Sequence, residues 1–68
     1  MDLNAVYNTL SNNPEITGQR EGRAEFLTYE PNEAGGEGVF VLNDMNGGMQ
    51  PFEPSIDDQL SDDWVCHA

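Results

Sequence analysis

Arg20 and Arg23 are the only Lys or Arg residues in a 68-residue chain that holds thirteen Asp and Glu. Both sit in one short segment, Gly18-Gln19-Arg20-Glu21-Gly22-Arg23. A guanidinium presents a planar fork of N–H donors that fits phosphate or carboxylate, and a flat face that stacks on a base. A small anion that binds this chain has these two groups to bind to. The competing expectation is that they pair with their neighbours Glu21 and Glu25 on the surface, where an ion pair contributes little.

The remaining reactive side chains do not form a catalytic pattern. Cys66 and His67 are the only cysteine and histidine. As neighbours on a strand they point to opposite faces, so they do not make a nucleophile–base pair, and a zinc site lacks further ligands. Asp44-x-Asn46-x-Gly48 begins like a calcium loop, but its sixth position is Met49 and its twelfth is Ser55, where glycine and glutamate are needed. Asp57, Asp58, Asp62 and Asp63 are enough carboxylates to surround a hard cation, yet no complete ligand spacing appears. The plainer reading is helix-start chemistry for the first pair and a solvated turn for the second. Gly35-Gly36-Glu37-Gly38 precedes a strand, not a helix, so it is not a phosphate loop. No enzyme, metal or cofactor is expected.

The net charge of −11 disfavours nucleic acid and anionic membranes, which are held by clustered Lys and Arg. Basic protein surfaces are the natural macromolecular partners. A single cysteine excludes an internal disulfide framework and points to a reducing compartment. The first residues show neither the basic n-region nor the apolar h-region of a signal peptide, and no apolar run approaches a membrane span. The expected location is the cytoplasm.

These side chains need a scaffold, and 68 residues allow one domain, 1–68, with a thin core. Oligomerisation is a common remedy for a core this small, so a homo-oligomer is in keeping with it. Asp2 can cap a helix over residues 3–11, in which Leu3, Val6, Tyr7 and Leu10 form a one-sided apolar stripe. Asn12-Asn13-Pro14 ends it. Residues 24–30 read as a strand with Leu27 and Tyr29 on one face and Phe26 and Thr28 on the other. After a glycine-rich loop, residues 38–43 form a strand apolar on both faces. Asn46-Gly47-Gly48 signals a hairpin, and Pro51 marks residues 49–52 as an edge strand. Ser55 caps a short helix over 56–61, and Trp64-Val65-Cys66-His67 is the last strand. The fold expected is α+β: an N-terminal helix packed on an antiparallel sheet of three to four strands, with a short helix before the last strand. Leu10 and Trp64 are expected in its core.

The run Phe52-Glu53-Pro54-Ser55-Ile56-Asp57-Asp58-Gln59-Leu60-Ser61-Asp62-Asp63-Trp64 resembles a signature of the phage Thoeris anti-defence two type of domain. There the pattern is aromatic-x-Pro-Ser-x-x-Asp-Leu-Leu-Ala-x-Asp-Trp, and this chain keeps Phe52, Pro54, Ser55, Asp58, Leu60, Asp63 and Trp64. The segment Glu21 to Tyr29 is similar to the family's Asn-Gly-Lys-x-x-aromatic strand entry, and the N-terminal helix matches in place. The resemblance implies a small, often oligomeric α+β domain that sequesters nucleotide-derived immune signals between subunits without cleaving them. Two departures alter the implied pocket. Arg20 stands where the family usually has Trp, and Ile56-Asp57 stand where it usually has Gln-Thr.

Two functions follow as expectations. The first is a non-enzymatic counter-defence protein, working in the cytoplasm of an infected host cell. It would bind a small nucleotide-like ligand through Arg20, Arg23, Ser55 and Asp58. The second is an acidic DNA mimic that occupies the basic groove of a host nucleic-acid-binding protein. A cleft between subunits that contains Arg20 favours the first. Carboxylates lined up on one face, with a closed arginine region, favour the second.

Overall fold

The computed structural model describes residues 1–68 as a helix on one face of a five-stranded antiparallel sheet. The elements are α1 (Leu3–Asn12), β1 (Thr17–Arg20), β2 (Phe26–Glu30), β3 (Val39–Asn43), β4 (Met49–Pro51), α2 (Ile56–Leu60) and β5 (Trp64–His67). The α+β class and the short helix before the last strand are as the sequence reading has them. The sheet holds one strand more than the upper end of that reading, and the addition is β1.

Strand order is β4-β3-β2-β1-β5. The first four strands form a meander. The chain then returns across the helical face through α2 and lays β5 against β1, pairing Arg20 with Trp64 and Gly18 with Cys66. β4 is the short edge strand that Pro51 foretells, reached through a turn in which Gly47 has a φ of 83°. Asp44 holds that turn itself. Its Oδ1 accepts from the N–H groups of Asn46 and Gly48, both at 2.8 Å.

α1 exists because its apolar stripe is buried and its first turn is capped. Leu3, Val6 and Leu10 are buried, and the Asp2 carboxylate accepts from the Ala5 N–H at 2.9 Å. With Leu27 and Trp64 they form the core. An aromatic row extends it: Tyr7 lies 4.5 Å from Phe40, and Phe52 meets Trp64 edge-on at 6.1 Å. Gly18 of β1 is buried directly beneath the helix. A side chain there would meet Val6 Cγ1 at 2.6 Å, so only glycine lets α1 sit this close. No helix is long and apolar enough to cross a membrane.

Candidate functional site: an arginine enclosed by three aspartates

Arg20 ends β1 at the rim of the sheet, and the pairing of β1 with β5 carries it to the loop before Trp64. Its Nε and Nη2 grip the two carboxylate oxygens of Asp63 at 3.0 and 3.3 Å. Its Nη1 donates to Asp57 Oδ2 at 2.9 Å and to Asp58 Oδ1 at 3.0 Å. Four N–H groups are therefore engaged, of the five a guanidinium has. The side chain is 11% exposed. Its hydrogen bonds to Asp63, Asp57 and Asp58, in that order of effect, push the Arg20 pKa up and lock in its charge.

The aspartates are held in turn by helix-start chemistry. Ser55 caps α2, its Oγ accepting from the Asp58 N–H at 3.1 Å, while Asp58 Oδ2 accepts from the Ser55 N–H at 3.1 Å. This is a reciprocal capping box. Partial burial works to raise the Asp58 pKa, but the bonds from Ser55 and Arg20 outweigh it and hold the carboxyl below its ordinary value. Asp63 is likewise held low, first by its hydrogen bonds from Arg20. The Trp64 indole N–H donates to the Asp58 carbonyl at 3.1 Å, so the core residue also ties down the helix.

The structure brings three of the four expected contact residues to one cleft. Arg20, Arg23 and Asp58 line it with Phe52, Trp64, Glu25 and Glu53, and its volume is about 90 Å³. Pockets for drug-sized ligands occupy about 300–1,000 Å³, so this cleft alone is too small to enclose a nucleotide. Ser55 is occupied by its cap. Three aspartates around one arginine leave the cluster at net −2, which repels phosphate. Arg20 does not pair with Glu21 or Glu25 as neighbours; its partners lie 37 to 43 residues away. Arg23 takes part in no ion pair.

The acidic run does gather around a cation, but the cation is Arg20, and Asp62 stays outside the contact. From the sequence these carboxylates are candidates for a hard cation or for helix-start and turn chemistry, and the arginines for a phosphate or for Glu21 and Glu25. Pairing of the two groups with each other is not among those expectations. Cys66 lies on the helical side of β5, where burial raises its thiol pKa, and exposed His67 lies on the opposite face.

The carboxylates are distributed unevenly. β1 and β3 finish, and β2, β4 and β5 begin, at the same end of the sheet. Glu21, Glu25, Asp44, Asp62 and Asp63 lie in the connections at that end. α2, tied there by Arg20, adds Asp57 and Asp58. Glu53 lines the Arg20 cleft, and Asp2 follows Met1, whose carbonyl accepts from the Trp64 N–H. Nine of the thirteen carboxylates are thus at one end, and both arginines are there with them. Only Glu30 lies on a strand.

No protein-family model matches the chain, and no curated protein matches it.

Proposed function

We propose that this is a non-enzymatic binding protein whose acidic end occupies a basic surface of a host protein, in the manner of a DNA mimic. One observation carries the reading: the end of the sheet that collects nine carboxylates also closes its arginine among three of them. Fixed carboxylates on a rigid scaffold imitate a phosphate array and compete for a basic groove. The resemblance to the phage anti-defence domain supplies a counter-defence setting, and the departures at Arg20, Ile56 and Asp57 fit a chain that has exchanged a small ligand for a protein. A partner purified by affinity to the folded protein is expected to be released by added salt and by duplex DNA. Binding unchanged in high salt and indifferent to DNA overturns the reading.

A second reading, sequestration of a nucleotide-like signal, is supported by the convergence of Arg20, Arg23 and Asp58 on one aromatic-lined cleft. It requires a second subunit to enlarge that cleft. Calorimetry against cyclic nucleotides and cyclic ADP-ribose-like signals tests it. Micromolar binding by the parent that is lost in Arg20→Ala/Arg23→Ala restores it as the first reading, and no binding by the folded parent removes it.

A further inference from the structure

α2 is inverted relative to an ordinary surface helix. Such helices turn their apolar stripe to the core and their polar side to water. Here Asp58 faces inward to Arg20 and Ser55, and Gln59 donates to the Pro54 carbonyl. Ile56 and Leu60, four residues apart and hence on one face, are 75% and 81% exposed. No residue of α2 is buried. The helix is nonetheless fixed through residues 55–58, by its capping box, by the Arg20 pairs, and by the Trp64 indole. Two apolar side chains are therefore held out from the surface on a rigid turn. Exposed Asp57, Asp62 and Glu53 lie beside them in the chain.

We infer that Ile56 and Leu60 are the apolar anchors through which the acidic end docks, and that they enter an apolar strip flanked by Lys or Arg on a partner protein. This rests on the basic-partner reading and names its contact surface. Charge selects the occupant. A second copy would oppose Asp57, Asp62 and Glu53 with their own equivalents, with Arg23 as the one arginine outside the Asp cluster to offset them. A basic partner gains from the same carboxylates. Anchors held rigid before binding lose little freedom when they dock.

The test titrates isotope-labelled protein with two helix-forming peptides of equal positive charge. One carries lysines with a leucine face; in the other every leucine is serine. The leucine peptide is expected to bind more tightly and to shift the amide signals of residues 55–61. Ile56→Ser/Leu60→Ser leaves the net charge, the Ser55 cap and the Arg20 cluster unchanged. It is expected to lose about tenfold or more in affinity for the leucine peptide and nothing for the serine peptide. Leu60→Gln alone repeats the comparison at smaller amplitude should the double variant fold poorly. Unchanged affinity in the variants, or shifts centred elsewhere, overturns docking on α2. If the serine peptide still binds in that case, the basic-partner reading stands without these anchors. Binding of neither peptide by the folded parent removes both. A parent dimer in sedimentation that Ile56→Ser/Leu60→Ser abolishes makes a second copy the occupant and also overturns the inference.

Discussion

The two helices are held by opposite means. α1 is anchored by what it hides: Leu3, Val6 and Leu10 are taken from water, and its polar side is solvated. α2 hides nothing apolar and is anchored by charge and caps: an arginine with three aspartates, a serine cap, and one indole N–H. Burial is nearly indifferent to moderate salt, whereas partly exposed ion pairs are weakened by salt and lost in acid as their carboxylates take up protons. Salt and acid are therefore expected to loosen α2 before α1, which makes the acidic end of the molecule the more adjustable one.

Trp64 is where the two schemes meet, and its removal gives the largest effect expected. Trp64→Ala empties the core beneath α1 and deletes the donor that holds α2, at a cost of about 3–5 kcal/mol. That is most or all of the stability of a domain this small. A Trp64→Ala protein that melts like its parent breaks the packing account. Leu10→Ala touches only the first scheme. It is expected to cost about 2–5 kcal/mol with no change in the salt dependence of the melt.

Arg20→Met touches chiefly the second. Its effect on the melting temperature is expected to fall between those of Leu10→Ala and Ser55→Ala. Asp58 and Asp63 have pKa values held below their unfolded value, so their pairing contributes fully above that value and is lost as pH falls through the depressed native ones. The gap in melting temperature between parent and Arg20→Met should stay constant above about pH 5 and close as pH falls below about 3.9. A gap that widens on acidification contradicts the pairing. Ser55→Ala gives the smallest change, about 0.5–2 kcal/mol from the lost cap. Amide exchange sharpens the comparison further: faster exchange should appear at residues 56–61 and not across α1.

Local signals made most of this fold legible. The i, i+3, i+4, i+7 stripe marked α1, Asn46-Gly47-Gly48 marked the hairpin, Pro51 marked the edge, and Pro54-Ser55 marked the start of α2. β1 left no such trace. Its buried position is a glycine, because α1 lies directly on it, and Thr17, Gln19 and Arg20 provide no apolar alternation. That one omission also hid the site. Without β1 beside β5, nothing in the sequence brings Arg20 to Asp57, Asp58 and Asp63, and the acidic Glu21 and Glu25 next to it appear the better partners. The family resemblance groups Arg20, Arg23 and Asp58 as contacts for a ligand, not as partners of one another. What they do to one another depends on the long-range pairing of strands.

That pairing also sets a timetable for assembly. The Trp64 N–H bonds to the Met1 carbonyl, and β5 joins β1 beneath α1, so residues near the end of the chain complete the seat of those near its start. While a ribosome still holds residues 64–67, the meander of β1 to β4 can form, but Leu3, Val6 and Leu10 have no Trp64 to close over. Arg20 at that stage has no Asp63 to grip, and the acidic end is not yet shaped. Contacts so distant in sequence close late and slowly. The Arg20 cluster and the seat of α1 are therefore expected to form together, once residues 64–67 are free to pair with β1.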